Sequence, residues 1–352
     1  MSLSTMLTAV DRIEITVLVD NELDPISPSQ SDHVHYAGQM RGIKLKPIDK
    51  SDGDAGRGDA GLELRMDAIC CAAHGLSLMI TAYSGDTSHT ILFDTGPEED
   101  VWERNVKRLG ADIAKIERIL LSHWHRDHSG GMLRAVQMIN DAKLARPGNE
   151  EKVVVDVHPD RPDYRGFVIP GMAPVSFEAD PSFSEIEAAG GLVEKNTEGH
   201  AVSDDFFYVS GEIPRDTAYE LGIRGAARYV GAKKAWEPDT LIMEERLVAC
   251  HLRGKGLVVF TGCSHAGVVN ACRHAIRTHD ERLHCVVGGF HLADNDPDKL
   301  AQTLRDLREL APDVIVPGHC TGWRFKYSWE QAVPGSLVPC FVGTKYEMTA
   351  VE

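Results

Sequence analysis

The sequence predicts an α/β protein, because strand-like and helix-like patterns alternate along most of its 352 residues. Stretches such as RIEITVLVDN (12–21) alternate apolar and polar residues or are continuously apolar, which is typical of strands. Stretches such as GGMLRAVQMINDA (130–142) repeat apolar residues with the helical period instead. Side chains that can bind metals recur where predicted strands end, so we expect a ligand site at the strand ends of the sheet.

Taken in order, the first strand is RIEITVLVDN, and the segment 74–96 predicts a hairpin around the turn SGDTS. Residues 97–116 predict an amphipathic helix, since Pro97 and three acidic residues favour its start. A short strand (117–122), the helix 130–142 and a strand (152–160) follow. The last third alternates strands at 256–265, 283–292 and 312–322 with helices at 266–278 and 296–310.

We expect one domain over residues 1–352, with two departures from the alternating pattern. Residues 25–60 are rich in Ser, Asp, Gly and Pro and have little periodicity, which predicts a solvated insertion. Residues 160–240 are interrupted by Pro and Gly and are long enough to form a lid or another section that covers a substrate.

Composition excludes several classes of protein. The net charge of -16 is unfavourable for nucleic-acid binding, which needs a basic face, and no apolar run approaches the roughly 18 residues of a membrane span. Eight cysteines without a CxxC pair are too dilute for a disulfide scaffold, and the N-terminus has no signal-peptide pattern. We therefore expect a cytoplasmic protein with a small-molecule substrate and no nucleic-acid or membrane partner. The sequence leaves its oligomeric state open.

The segment SHWHRDHSGG (122–131) has the densest group of potential metal ligands. Imidazole and carboxylate groups bind borderline divalent metals such as zinc. His123 and His125, two residues apart, can share one ion, while Asp127 and His128 are displaced enough to bind a second ion. We expect two divalent metal ions, zinc before manganese or iron(II).

This segment is similar to the HxHxDH signature of the metallo-β-lactamase superfamily. Further motifs resemble its subgroup labelled 7,8-dihydropterin-6-methyl-4-(β-D-ribofuranosyl)-aminobenzene-5'-phosphate synthase: LVDN (18–21), HGLSLMI (74–80), FDTG (93–96), HPD (158–160), SGEIPR (210–215), TGCSHAGVVN (261–270), GGFHL (288–292) and PGHCTG (317–322). The resemblance covers nearly the whole chain apart from 25–60. It implies a four-layered αβ/βα sandwich with one or two metals at the sheet edges.

Carried over to this sequence, the resemblance implies two sets of ligands. The first ion would be bound by His123, His125 and, with less support from the motifs, His265. The second ion would be bound by Asp127, His128 and His319. Many superfamily members have a bridging aspartate where this chain has Cys263. Either the thiol is a ligand, or Cys263 is a small buried residue beside His265, and the second alternative is preferred.

Other residues have two interpretations each. Asp94 either orients a ligand imidazole or caps the helix that starts near Pro97. His291 either contacts the ions or the substrate, as a catalytic residue, or is a structural histidine.

Four more residues are candidates for contacting the substrate. His74 and His158 could line the cleft. Glu212 and Arg215 lie in the section expected to cover the substrate, where Arg215 would suit a carboxylate or phosphate. An ordinary surface ion pair is the alternative for these two.

These residues predict a metal-dependent hydrolase that acts by attack of a metal-bound hydroxide. Asp127 would orient that hydroxide and return a proton to the leaving group. A cyclic amide or ester (lactam or lactone) is the favoured substrate. Three alternatives stay open: a synthase joining a pterin to an aminobenzene ribosyl phosphate, a phosphodiesterase or nuclease, and a mononuclear-iron redox enzyme or binding protein with a structural metal.

Overall fold

A computed structural model describes residues 7–28, 31–36, 40–48, 57–294 and 296–351. The strands are β1 (Ala9–Val10), β2 (Arg12–Val19), β3 (His35–Tyr36), β4 (Lys46–Pro47), β5 (Leu62–Glu63), β6 (Ser77–Ser84), β7 (Thr87–Phe93), β8 (Ile116–Leu120), β9 (Val154–Val157), β10 (Tyr164–Phe167), β11 (Val175–Ser176), β12 (Leu192–Lys195), β13 (His200–Val202), β14 (Phe207–Val209), β15 (Ala226–Val230), β16 (Ala235–Pro238), β17 (Val248–Leu252), β18 (Gly256–Thr261), β19 (Leu283–Gly289), β20 (Val314–Gly318) and β21 (Lys345–Thr349). The helices are α1 (Glu99–Leu109), α2 (Arg126–Ser129), α3 (Met132–Leu144), α4 (Phe183–Ala188), α5 (Val268–His279), α6 (Pro297–Glu309) and α7 (Trp323–Ala332).

Two large mixed sheets form the centre of the fold. The first sheet has the strand order β12-β9-β8-β7-β6-β2-β21-β3. The second sheet has the order β13-β14-β17-β18-β19-β20, with β1 beside β17. Within them, β7, β8 and β9 run parallel to one another, as do β18, β19 and β20. The carboxyl ends of each parallel set therefore lie along one edge of its sheet.

Three apolar clusters define four layers. One cluster lies between the sheets and includes Ile15, Ile80, Val258 and Val287. A second cluster packs α5, α6 and α7 on the outer face of the second sheet, and a third packs α1, α3 and α4 on the outer face of the first. The central strands β18, β19 and β20 are buried along their whole length, as expected for parallel strands that are covered on both faces. The predicted four-layered αβ/βα sandwich is confirmed.

The first helix is shorter than its sequence pattern. The pattern covers 97–116, but α1 ends at Gly110, which has a φ of 58° and donates its N–H to the carbonyls of Val106 and Lys107. Glycine adopts this left-handed conformation without a steric penalty, so it ends the helix. Ile113–Lys115 then form a separate 3-10 turn before β8.

Parts of the predicted insertion are packed against the sheets. Val34 is fully buried in the cluster between the sheets, and β3 pairs with β21 at the edge of the first sheet. A wholly solvated insertion is therefore wrong for residues 31–36, because Val34 removes apolar surface from water. Positions 29–30, 37–39 and 49–56 of the predicted insertion lie outside the described residues.

The section expected to cover a substrate contains its own sheet, with the order β11-β10-β15-β16. All its strand pairs are antiparallel, and short connections join β10 to β11 and β15 to β16. Among the residues that the structure describes, no helix is both long and apolar enough to cross a membrane.

Candidate metal centre

Three imidazoles meet where strands of both sheets end. His123 and His125 follow β8, and His265 follows β18. His123 Nε2 is 2.9 Å from His125 Nδ1 and 3.1 Å from His265 Nε2, and His265 Nε2 is 3.2 Å from His125 Nδ1. The three residues assigned to the first ion are thus brought together, although 142 positions separate His123 from His265.

The second group lies beside the first and contains four residues. Cys263 Sγ is 3.1 Å from His128 Nε2 and 3.2 Å from His319 Nε2. His319 Nε2 is also 3.2 Å from Asp127 Oδ2. The imidazole centroids of His128 and His319 are 4.9 Å apart. All three residues assigned to the second ion therefore converge, with the thiol of Cys263 between the two histidines.

Cys263 is buried, and its Sγ faces two imidazole nitrogens, so the thiol is one of the potential donors of the second group. Burial raises the pKa of Cys263 well above its usual range, and a nearby Cys320 adds to the effect. A buried thiolate at this position would need a neighbouring cation.

The chemistry of both groups fits divalent metal ions. Burial lowers the pKa values of His123, His125 and His265, so their imidazoles are held neutral, the form that binds metals. Neutral rings that point nitrogens at one another at 2.9 to 3.2 Å need a shared proton or cation between them. The donor sets, three nitrogens in one group and nitrogen, oxygen and sulfur in the other, suit zinc.

At the second group, carboxylates and imidazoles shift one another's pKa values. Burial alone would lower the pKa of His128, but the carboxylates of Asp127 and Asp94 raise it to about 9. Burial would raise the pKa of Asp127, but the imidazoles of His128 and His319 hold it well below its usual range. This buried carboxylate therefore calls for positive charge beside it.

Asp94 orients the ligand rings. Its Oδ2 is 2.6 Å from His128 Nδ1 and accepts a hydrogen bond from Ser122 Oγ at 2.8 Å. Its Oδ1 accepts from the backbone N–H of Ser122, whose Oγ is also 2.9 Å from His123 Nδ1. One buried carboxylate thus positions one imidazole from each group. The side chain does not cap α1, which has no side-chain cap.

Two further positioning residues, Asp20 and Asn21, were not assigned from the sequence. Asp20 Oδ1 accepts from the backbone N–H of His319, and Asn21 Oδ1 is 3.0 Å from His319 Nδ1. Asn21 Nδ2 is 3.0 Å from His74 Nδ1. Both residues follow β2, so their position at a strand end, within the motif LVDN, was the available signal.

The backbone at these strand ends is strained. Asp94, Ser264, His291 and His319 have φ values of 59°, 62°, 47° and 47°. Side chains other than glycine seldom adopt positive φ, and such residues persist where the surroundings over-determine them, often at functional sites. Each of these residues is a potential metal ligand, precedes one in the chain or contacts one, which supports a site assembled at the strand ends.

Buried acidic residues support the loops behind the ligands. Glu245 accepts hydrogen bonds from the backbone N–H groups of His265 and Ala266 at 2.7 and 2.6 Å. Glu244 accepts from the guanidinium of Arg165 at 2.7 Å, and Arg165 Nη1 is 3.4 Å from His125 Nε2. Glu244 and Glu245 are adjacent, but their partners Arg165, His125 and His265 lie far away in the sequence, so periodicity gave no signal for this network.

A cavity of about 740 Å³ opens onto both groups of donors. Phe167, Phe177 and Ile223, from the section around the smaller antiparallel sheet, form its apolar wall. The remaining lining residues are polar or small: Asn21, His74, His125, Arg126, Asp127, Ser176, Glu178, Cys263, His265, His291, Ala293, Asp294, His319 and Cys320. Part of the section predicted to cover a substrate thus lies over the donors.

His74 and His291 are in the cavity lining. His74 Nε2 is 3.6 Å from Asp127 Oδ2. The His291 ring lies 4.6 Å from the His265 ring, centroid to centroid, and burial lowers its pKa to about 4. Both side chains can therefore face a bound molecule.

The structure does not bring the other predicted substrate-contacting residues into this cavity. His158 Nδ1 accepts from the backbone N–H of Asp160, and Glu212 is exposed to solvent. The Nη1 and Nη2 groups of Arg215 donate to the backbone carbonyls of His265 and Leu241, so these two groups are used within the fold. Arg215 therefore does not contact a substrate in this cavity, and instead stabilises the turn at His265. Arg126 is the cation in the lining, and its position inside HWHRDH was the missed signal.

The protein has the metallo-β-lactamase fold, and residues 75–215 match the family model of the metallo-β-lactamase superfamily, which confirms the resemblance drawn from the motifs. A solved metal-dependent hydrolase of the β-lactamase superfamily aligns with a TM-score of 0.64 and 23% identity, covering 95% of this chain and 98% of that one. That likeness shows the fold.

Among curated proteins, the 7,8-dihydropterin-6-methyl-4-(β-D-ribofuranosyl)-aminobenzene-5'-phosphate synthase of Methanocaldococcus jannaschii is 26% identical over 287 residues. The match covers 75% of this chain and 89% of the synthase. A lactamase-like protein of Aspergillus niger is 45% identical over 49 residues, or 14% of this chain and 16% of that protein.

Proposed function

We propose that the protein is a metal-dependent hydrolase of a small molecule, with a lactam or lactone as the favoured substrate class. The observation that carries this proposal is the pair of adjacent donor groups on the floor of one cavity of about 740 Å³. Two zinc ions bound there would supply Lewis acidity and lower the pKa of a coordinated water toward neutrality. Side chains of the protein would bind the substrate, orient it and transfer protons.

Asp127 is the residue best placed to hold a proton during the reaction. Its Oδ2 lies 3.2 Å from His319 Nε2 and 3.6 Å from His74 Nε2, and the residue lines the cavity. A carboxylate there can accept a proton from an attacking oxygen and return it to a leaving amine or alcohol. The Asn21 side chain orients His74, whose ring can contact the oxygen that exchanges a proton with Asp127.

The cavity walls suit a compact and partly apolar substrate. Phe167, Phe177 and Ile223 exclude water from one side and contribute no charge. Arg126 supplies positive charge at the cavity, where a carboxylate on the substrate could bind. A neutral ring with one acidic group fits both features, and this combination favours a cyclic amide or ester.

A synthase is the second candidate, favoured by the 26% identity to the Methanocaldococcus jannaschii enzyme over most of both chains. Such a reaction would join a pterin to an aminobenzene ribosyl phosphate. Arg126 would then bind the phosphate instead of a carboxylate. The aromatic pair Phe167 and Phe177 could stack on a planar pterin ring.

The test is a substrate panel with zinc-loaded full-length protein. Lactones, lactams, phosphodiesters and thioesters are assayed for hydrolysis, and a dihydropterin with the aminobenzene ribosyl phosphate is assayed for condensation. We expect ring opening of a lactone or lactam, lost in Asp127→Ala and retained in His158→Ala, the matched control outside the cavity. Circular dichroism checks that both variants are folded. Condensation without hydrolysis would favour the synthase, and full activity after removal of the metal would refute both proposals.

A further inference from the structure

A third group of potential metal ligands lies away from the cavity. His284 is near the start of β19, and Asp313 immediately precedes β20. The cavity residues His291 and His319 follow the other ends of these same strands. His33 belongs to the segment 31–36, which packs Val34 between the sheets. The group therefore lies at the end of the second sheet opposite to the strand ends that carry the candidate metal centre.

The geometry of this group resembles that of a supported imidazole ligand. His284 is fully buried, and its Nδ1 is 2.6 Å from Asp313 Oδ2. The ring of His33 lies edge-on to it, with 5.6 Å between centroids and 69° between the ring planes. One potential donor atom from each of His33, His284 and Asp313 lies within 4.8 Å of the other two.

The second nitrogen of His284 is unsatisfied. Its Nε2 is buried and has no hydrogen-bond partner. Leaving a buried polar atom without a partner is energetically unfavourable. When the Asp313 carboxylate accepts a hydrogen bond from Nδ1–H, Nε2 carries the lone pair, and this carboxylate–imidazole arrangement is the usual support for a metal-binding histidine.

The charges around the group permit a cation. Burial lowers the pKa of His284, whereas Asp313 opposes that shift, so the ring stays available as a neutral donor. Arg282 donates two hydrogen bonds to the Asp313 carboxylate, at 2.8 and 2.5 Å, and its side chain is half exposed. Arg282 therefore holds the Asp313 carboxylate where it accepts from His284 Nδ1, which leaves Nε2 as the potential donor to an ion.

We propose that His284, through Nε2, and His33 bind a divalent transition-metal ion such as zinc, with Asp313 orienting the His284 ring and water completing the coordination. Donor atoms around tetrahedral zinc lie about 3.3 Å apart, so potential donors that lie within 4.8 Å of one another must approach by up to about 1.5 Å. His33 lies on a non-strand segment before β3 and can make that movement. The ion would link the segment 31–36, which joins the first sheet through β3, to the second sheet.

The experiment counts zinc bound to full-length protein after dialysis against buffered Zn²⁺, by elemental analysis. The wild type is expected to bind one more zinc per chain than either His33→Ala or His284→Ala. The matched control is His35→Ala, which removes an exposed histidine from the same segment and should bind as much zinc as the wild type. The comparison holds whatever number of ions the cavity binds, so it is independent of the proposed hydrolase.

The result that overturns the site is equal zinc content in the wild type and His33→Ala. His33→Ala is the deciding variant, because His33 is only partly buried and its replacement leaves the sheet intact. Loss of zinc in His284→Ala alone would reflect damage to the buried strand, and would also overturn the assignment. Cobalt(II) absorption provides a second measurement, since a tetrahedral site would lose its visible band in His33→Ala.

Discussion

Individual side chains decide what the candidate centre can bind, and Cys263 is the clearest case. Its Sγ lies between His128 Nε2 and His319 Nε2, where a thiolate would place sulfur in the second donor group. From the sequence, a small buried residue was preferred at this position. The sequence could not give the direction of this side chain, because it depends on the turn after β18, in which Ser264 has a φ of 62°.

Replacing Cys263 by Ala should weaken binding of one ion by ten- to a hundredfold or more, because one of four donors is lost. We expect about one zinc less per chain after dialysis against submicromolar zinc, measured by elemental analysis. Cys320→Ala is the control, since Cys320 lines the same cavity but its Sγ donates to a backbone carbonyl. Unchanged zinc content in Cys263→Ala would show that the thiol only packs.

Arg126 is the residue that we expect to select charged substrates. Its Nη1 donates to the carbonyl of Ala179, and its Nε is 3.4 Å from Glu178 Oε2 at the cavity wall. Arg126→Ala should raise KM for an anionic substrate about tenfold or more, because a charge-assisted hydrogen bond is lost, with little change in kcat. Steady-state kinetics on a matched neutral substrate is the control. Equal effects on both substrates would contradict a role in charge selection.

At the scale of elements, close backbone approach explains the small residues after the histidines. A Cβ at Gly130 would lie 1.8 Å from the carbonyl oxygen of Pro97, and one at Gly131 would lie 2.3 Å from that of Thr95. The segment after β7 therefore packs directly against the start of α3. These glycines bring Asp94 and His128 within hydrogen-bonding distance, and their role is space, since neither has a positive φ.

The first turn of α5 is held by the buried carboxylate of Glu220. Its oxygens accept from the backbone N–H groups of Val269 and Asn270, both at 3.0 Å. Gly267, with a φ of 100°, has no space for a side chain, because a Cβ would lie 2.1 Å from Glu220 Oε2. The start of the helix thus depends on a residue about 50 positions upstream.

Burial raises the pKa of Glu220 above its ordinary value of 4.5, although the two backbone N–H groups oppose the shift. As pH rises above 4.5, the unfolded chain loses this proton before the native protein does, so the native state is progressively destabilised. The free energy of unfolding of the wild type, relative to Glu220→Gln, should therefore fall from pH 4.5 toward neutrality. Urea unfolding at several pH values measures it. A relative rise would show that the helix N-terminus outweighs burial.

At the scale of the whole molecule, both donor groups join the two sheets. His123 and Asp127 follow strands of the first sheet, while Cys263, His265 and His319 follow strands of the second. Bound ions would therefore cross-link the two halves of the sandwich at one end. Without cations, the imidazoles, the carboxylate and the thiol of both groups lie close together with few hydrogen bonds to offset the loss of their hydration.

Zinc should accordingly raise the melting temperature of the whole protein. Free zinc at a hundredfold excess over Kd stabilises the native state by about 2.7 kcal/mol per site, which corresponds to several degrees. Differential scanning calorimetry of metal-free and zinc-loaded protein measures this shift. His123→Ala should show a smaller shift, and His200→Ala, whose ring pairs with Asp156 away from the cavity, should match the wild type. A shift unchanged in His123→Ala would place the stabilising ion elsewhere.

Local patterns were sufficient for the α/β class, for most strands and helices, and for the histidines and aspartate of HWHRDH, because strand and helix periodicity and ligand spacing are properties of neighbouring residues. Only the folded chain shows that the segment around Val34 is packed and that the Cys263 thiol faces two imidazoles. It also shows that Arg126 lines the cavity and that Arg215 donates to backbone carbonyls. Each of these depends on contacts between residues tens to hundreds of positions apart, and no short-range pattern records which distant atoms will share a space.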